Sequence, residues 1–335
     1  GSMSSVFLTP GNFANLITQA AAVIVIAMGL VFVLLLGEID LSAGYTAGVS
    51  GAVLVILITN EGQPWYVALI ASIATGAFLG FLLGTLVARL GIPSFVVTLA
   101  AFLAFQGILL LLAGEGGTIR VEDPTILAVQ NSNMSPTVSW IFFLIVAVAY
   151  VLSGLSAMNS RRKAGLKTEL KKLWIIKTAA LLLITGLAVF ALNLERSNNP
   201  DLVSLKGIPY VVPVILLLLV IGTFVLGRTA FGRHIYAVGG NAEAARRAGI
   251  NVVKIRIAAF VICAFFAVIS GVFHASRIGS VDGSAGRTIV LSGVAAAVVG
   301  GVSLFGGRGR LAHAAIGAVV ISMIDNGLGL LQMAS

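Results

Sequence analysis

Charge is what this sequence has least of. Asp, Glu, Lys and Arg together make up 10% of its 335 residues, where a soluble domain carries about 25%. With 59% of the residues hydrophobic, a single soluble core of this size is excluded. Cysteine is nearly absent: Cys263 stands alone inside an apolar run, so it cannot form an internal disulfide and says nothing about redox compartment. Signatures of catalysis are missing too. There is no H-E-x-x-H, no G-x-S-x-G and no glycine loop ending in Lys-Ser/Thr, and His234, His274 and His313 are scattered. No catalytic residue and no metal site is expected, and the chain reads as a non-enzyme. Gly1-Ser2-Met3 reads as a cloning scar with no secretory signal peptide behind it.

What is present is a series of long apolar runs. A bilayer core takes roughly 20 apolar residues as helix. Ten runs qualify: 16–36, 41–59, 65–90, 93–113, 138–157, 174–192, 210–227, 257–276, 289–305 and 311–331. The fold class is therefore an all-α polytopic membrane protein with about ten transmembrane helices. The ninth run is short and holds Gly293, Gly300 and Gly301, which suits a break or a close helix contact. Orientation follows from Lys and Arg in the loops. Loop 158–173 carries Arg161, Arg162, Lys163, Lys167, Lys171 and Lys172 against Glu169. Loop 228–256 carries Arg228, Arg233, Arg246, Arg247, Lys254 and Arg256 against Glu243. Both are expected in the cytoplasm, and parity adds the turns at Arg89 and at Arg308 and Arg310. The net charge of +9 is then an orientation signal, and no nucleic-acid partner is expected. The same parity starts the first run outside and ends the last run outside. Residues 1–5 fall on the extracytoplasmic side, and a further natural helix is expected before the first run and after the last.

Two short stretches echo each other. GEIDLSAG (37–44) and GGVSLFGG (300–307) both fit G-x-x-[D/S]-L-x-x-G, each closing an inward run. Asp40 or Ser42 suits an N-cap, and Glu38 and Asp40 suit a helix N-terminus, where the dipole is positive. The other reading has Glu38, Asp40, Ser42 and Ser303 lining a polar path. Gln106 and Asn326 are polar residues within apolar runs; such residues bond a neighbouring helix or meet a substrate. Phe102 and Phe105 either pack in the core or stack on a substrate ring. His274 and Asp325 lie near the outer ends of their runs, within reach of outside water.

Loop 228–256 holds a short polar helix. Asn241 is a suitable N-cap. Ala242, Glu243, Ala244, Ala245, Arg246, Arg247 and Ala248 are mostly strong helix formers, and Gly249 fits the stop. Glu243 and Arg247 stand four apart with the acid first, the favoured order. So short a helix is marginal in water, so something holds it: its own membrane surface or a cytoplasmic partner. Its alanine face lacks the Leu, Phe or Trp of a lipid-binding helix.

GRHIYAVGGNAEAARRAGINVVKIR resembles the cytoplasmic coupling-helix loop of permeases from bacterial monosaccharide ATP-binding-cassette importers. GEIDLSAG resembles the early motif of the same family, and VVGGVSLFGGRGR followed by IGAVVISMIDNGL resembles its late ones. The likeness runs over about 6–331 and is greatest to xylose-type permeases, through Glu38, the ERSNNPDLVSLKGIP segment and the extra helix pair at 138–192. It implies a type II importer-like permease fold, a single permease domain over 6–335, and a place in the bacterial cytoplasmic membrane. It implies a second permease copy, a two-domain cytoplasmic ATPase docked on 241–249, and an extracytoplasmic sugar-binding protein. No cofactor is expected on this chain; ATP and Mg belong to the partner. The family carries helices before VFLTPGNF and after NGL, in line with the parity argument. Ile289-Val290-Leu291-Ser292 stands where many sugar permeases have acidic residues. An ion-coupled carrier or channel, and a membrane scaffold for a cytoplasmic protein, are the competing readings.

Overall fold

The computed structural model describes residues 6–166, 170–197 and 199–331. The 1–5 start and, in the basic loop, Lys167 and Glu169 lie outside the described residues. Each of the ten apolar runs carries a helix. Eight are long and apolar enough to cross a membrane: α1 (Pro10–Leu34), α3 (Trp65–Leu90), α4 (Ser94–Ala113), α6 (Pro136–Lys163), α7 (Lys171–Asn193), α8 (Val211–Arg228), α11 (Val252–Ile278) and α13 (Leu311–Leu330). Two are shorter, α2 (Ala43–Thr59) and α12 (Ala285–Val299). The ninth run was expected at 289–305; its helix starts earlier and stops at Val299. Gly301 takes φ +93° there, which only glycine adopts without strain, and the chain turns back.

Shorter elements lie between these helices, beginning with a 3-10 turn at Gly114–Gly116. A short α5 (Pro124–Asn131) follows α4. β1 (Thr118–Arg120) pairs antiparallel with β2 (Ser280–Asp282), Ile119 opposite Val281. α9 (Ala230–Gly240) and α10 (Ala242–Arg247) lie between α8 and α11.

The chain divides into two compact units. In the larger, 15–131 with 211–335, the lower half of α1 is the central rod. Val25 through Leu35 are all 1% exposed or less, apart from Gly29. A helix that is apolar all round belongs inside other helices. α3 meets α11 through a glycine ladder, Gly76, Gly80 and Gly84, spaced four apart on one face. A Cβ on Gly80 would fall 2.7 Å from Phe260 O, and one on Gly84 would fall 2.9 Å from Ile257 Cα. Small residues at that spacing let two backbones touch, which is how apolar helices bind each other where water provides no drive.

In the smaller unit, 6–14 with 132–210, α6 and α7 form a hairpin in which Gly154 lies against the Trp174 ring. Their outer loop is organised by Glu195. Its Oε1 accepts from the backbone N–H of Arg196, Ser197 and Leu205, and its Oε2 from Ser204 Oγ. The Leu205 N–H, with the others, lowers its carboxyl to about 2. Met134 N donates to Ile208 O at 2.8 Å, joining two loops that the charge pattern assigns to one side.

The same test works in the larger unit. Val121 N reaches Gly279 O, and Asn131 Nδ2 reaches Ser276 O at 2.7 Å, both joining outer loops. On the opposite side Tyr236 Oη donates to Gly309 O at 2.8 Å, and Ile39 N donates to Ser94 Oγ at 3.1 Å, both joining inner ones. Each of these loop contacts connects segments of like predicted side.

Candidate functional site

The loop between α8 and α11 is a succession of three capped helices. Thr229 Oγ1 accepts from Gly232 N at the start of α9. Asn241 Oδ1 accepts from Ala244 N at 2.9 Å to start α10. Asn251 Oδ1 accepts from Lys254 N at 3.0 Å to start α11. α10 ends in paired reverse bonds, Gly249 N to Arg246 O and Ile250 N to Ala245 O, with Gly249 at φ +83°. This is the glycine-terminated stop that satisfies the last carbonyls of a helix. What holds so short a helix is therefore a cap at each end and one seat: Ala245 is buried and Ala242 partly so. Glu243, Ala244, Arg246, Arg247 and Ala248 face outward. Glu243 pairs with Arg246 at 2.9 Å and Arg247 at 3.2 Å. Exposed pairs of this kind contribute about 0.3–0.5 kcal/mol each, so the helix is held by its caps and seat.

α9 delivers α10 to the two echoing motifs. A Cβ on Gly239 would lie 1.8 Å from Leu35 O and 2.8 Å from Gly307 N. Gly307 N in turn donates to Leu35 O at 2.8 Å. A Cβ on Gly306 would lie 2.8 Å from Gly239 O and 2.9 Å from Gly37 N. Three glycine-bearing segments thus meet backbone to backbone. The two stretches that resemble each other in sequence touch in space, with the end of α9 between them. Tyr236, on α9, adds its bond to Gly309, and burial pushes its phenol up against the opposing pull of Arg310.

From that junction the first motif runs along α11 as irregular chain. Glu38 Oε1 lies 3.1 Å from Arg256 Nε, a charge contact without the alignment of a hydrogen bond. Ile39 is clamped by α4, its N–H on Ser94 Oγ and its C=O accepting from Thr98 Oγ1. Asp40, 3% exposed, accepts from both Ser42 N and Ser42 Oγ and faces the Cys263 thiol. Arg256 and Cys263 are seven residues apart, about 10 Å along a helix. The chain therefore climbs well into the apolar layer before α2 begins. Ser42 occupies the cap position of α2 without a side-chain cap bond; Asp40 folds the turn ahead of it instead.

α2 and α12 begin at one point. A Cβ on Gly44 would lie 1.9 Å from Gly286 O, and one on Gly286 would lie 2.7 Å from the Tyr45 ring. α12 runs from there past Ile26 and stops at Val299, ahead of the Gly306–Gly307 turn, while α2 starts against Gly271 of α11 at Ala47. Two positive helix ends thus share one location, with the Asp40 carboxyl just before one of them. Beside it is a cavity of about one water molecule's size, lined by Gly44, Ala47, Gly48, Gly271, His274 and Gly286 among others. His274 Nε2 is buried there without a hydrogen-bond partner among the described residues. His274 as a whole is half-buried, with its Nε2 sheltered where α2 packs on α11 at Gly271.

The other sequence candidates make internal contacts. Phe102 packs edge-on against Tyr45, ring centroids 4.6 Å apart. Phe105 is in the core, and Gln106 is half-buried beside it. Ser303 Oγ accepts from Phe305 N within its own turn. Asn326 Nδ2 donates to Gln19 at 3.3 Å. The Glu38–Arg256 contact and the α9 junction were missed by sequence reasoning. Thr229 and Asn251, each placed before an apolar helical stretch, were the readable signals for the latter.

The family model described as branched-chain amino acid transport system, permease component, matches residues 12–335. The xylose transport system permease protein of Haemophilus influenzae is 35% identical over 327 residues, 98% of this chain and 84% of the relative. Its Escherichia coli K12 counterpart is 35% identical, covering 98% and 80%. The ribose import permease protein of Haemophilus influenzae is 27% identical, covering 98% and 80%. No solved structure matches the chain. The chain, a multi-pass protein of the bacterial inner membrane, belongs to this family of transport-system permease components.

Proposed function

We propose that the chain is the transmembrane permease subunit of an ATP-driven sugar importer, for xylose or another pentose. The observation that carries this is likeness over 98% of the chain to proteins named as xylose transport system permeases. Hydrolysis would take place on a partner, a two-domain cytoplasmic ATPase that holds ATP and Mg. That partner would engage the outward face of α10, with Asn241 to Gly249 as the docking segment. An extracytoplasmic binding protein would deliver the sugar, and a second copy of this chain would complete the route. Transport would proceed by alternating access, hydrolysis shifting the balance between inward and outward states. Residues 6–335 would act as one permease domain, with α6 and α7 as an added pair. Among the path candidates, Asp40 and Ser42 stand nearest the junction of α2 and α12 and are the pair carried forward.

The test is co-purification from native membranes. A two-domain ATPase should accompany the permease, and replacing the outward residues of α10 should release it. If no ATPase comes with the chain, and uptake in proteoliposomes follows an ion gradient instead, the importer reading is wrong.

A further inference from the structure

Both ends of the loop that carries α10 attach to the same few residues. In front, Gly239, two residues before the Asn241 cap, lies against Leu35 O. Behind, Arg256, seven residues after Gly249, meets Glu38 at 3.1 Å. Between these attachments α10 touches the rest through Ala245 and Ala242. Leu35–Glu38 leads directly into Asp40 and Ser42, which fold the turn ahead of α2. Displacement of α10 is therefore delivered from two sides to one stretch of backbone.

We propose that Leu35–Glu38 receives the movement of α10, and that the Glu38–Arg256 contact is the positioning pair that keeps the rear of the loop engaged with it. This rests on the importer reading above. The chemistry suits the task. A packed contact forfeits about a quarter to a half of its attraction over a gap of roughly 0.5–1 Å, whereas Coulomb attraction falls only as the inverse of distance. The pair is joined by charge without hydrogen-bond alignment, so it tolerates sliding. Its side chains are 12% and 27% exposed, and at such burial desolvation offsets much of the attraction. Stability alone is a weak reason to place two charges here.

The experiment uses the permease reconstituted with its ATPase and a xylose-binding protein. It reads xylose taken up per ATP hydrolysed, with assembly checked by gel filtration. Glu38→Gln and Arg256→Gln should each lower that ratio by about fivefold or more, the lower end for coupling between two sites. The swap Glu38→Arg with Arg256→Glu should recover most of it. A neutral role in packing would leave the ratio in assembled complexes unmoved. Single variants within about twofold of the wild type overturn the inference, as does a swap that fails to restore the ratio. Where a neutral variant does not assemble, Glu38→Asp keeps the charge and shortens the reach. A lowered ratio there supports the pair, and an unchanged one overturns it. A wild-type complex without ATP-driven uptake of xylose or of any other pentose, each supplied with its binding protein, overturns the importer reading and this inference with it.

Discussion

Gly239 and its neighbour Gly240 make a matched test of the three-segment junction. Replacing Gly239 by Ala places a Cβ 1.8 Å from Leu35 O, where carbon and oxygen ordinarily approach to about 3.3 Å. The segments must part by about 1.5 Å, which breaks the Gly307 N to Leu35 O bond, now 2.8 Å. Leaving those groups unpaired costs about 1–3 kcal/mol, and the overpacking costs about 1–3 kcal/mol more. Against this, Ala is favoured over Gly in a helix by at most about 1 kcal/mol. The clash wins, with a net loss of roughly 1–6 kcal/mol. Gly240→Ala gains the same propensity and meets nothing within 4 Å, so it should be neutral or slightly stabilising. The assay is the fraction of protein remaining monodisperse in detergent after heating, compared as apparent midpoints because unfolding of such proteins is irreversible. Gly239→Ala should fall below the wild type and Gly240→Ala should not. Equal midpoints for the two variants would refute the junction.

Three further outcomes are expected. Gly80→Leu should separate α3 from α11, since even a Cβ there lies 2.7 Å from Phe260 O. The loss is about 1–3 kcal/mol or more, and the same heating assay would have to show no change to defeat the ladder. Glu243→Arg removes two exposed ion pairs and should leave the fold intact while uncoupling hydrolysis from uptake; normal uptake by the variant counts against docking at α10. Glu195, held near 2 in the folded chain, is depressed below its ordinary value of 4.5. Its stabilisation of the outer loop is complete above the ordinary value and is lost as pH falls through about 2. Protection of the Ser197 and Leu205 amides, taken relative to the unstructured exchange rate at each pH, should hold at mildly acidic pH and fall as pH approaches about 2; equal protection in Glu195→Gln and wild type at neutral pH would remove the cause.

The helices were legible because apolar run length and loop charge are signals that need no tertiary context. α10 was legible for a related reason: Asn241, Glu243, Arg247 and Gly249 each serve a local role, and all four take it. α9 was not, because GRHIYAVGG carries three glycines that lower its helix propensity; of these Gly239 meets Leu35 and Gly307, and Gly232 meets Leu226 O. The break before α2 was half legible. Gly37, Asp40 and Ser42 announce a turn, but a turn at the membrane surface and an extended entry into the apolar layer have the same sequence. Only Arg256 and Cys263, more than two hundred residues on, distinguish them. The start of α12 was misplaced for the same reason. Its first turn is polar enough to read as loop; within it Gly286 packs against α2 at Gly44 and Tyr45, while Arg287 and Thr288 stay exposed.

Irregular backbone inside an apolar layer carries its own argument. Water is absent there, so every N–H and C=O must find a partner within the protein. At Ile39 both groups are supplied by side chains of α4, Ser94 and Thr98, and the Asp40 carboxyl supplies Ser42. On the other side of the junction, β2 draws its partners from β1 before α12 begins. An unbroken helix would have satisfied all these groups with no help from neighbours. The sequence instead devotes Ser94, Thr98, Asp40, Ser42 and a strand pair to keeping two breaks whose helix ends meet at Gly44 and Gly286. Such breaks are tolerated in membrane proteins where they are buried in protein or line a path. Here the inner break is also the stretch on which both ends of the α10 loop bear. On the importer reading, that position and its attachment at Gly239 and Arg256 suit Leu35–Ser42 to link movement at the cytoplasmic face to the interior.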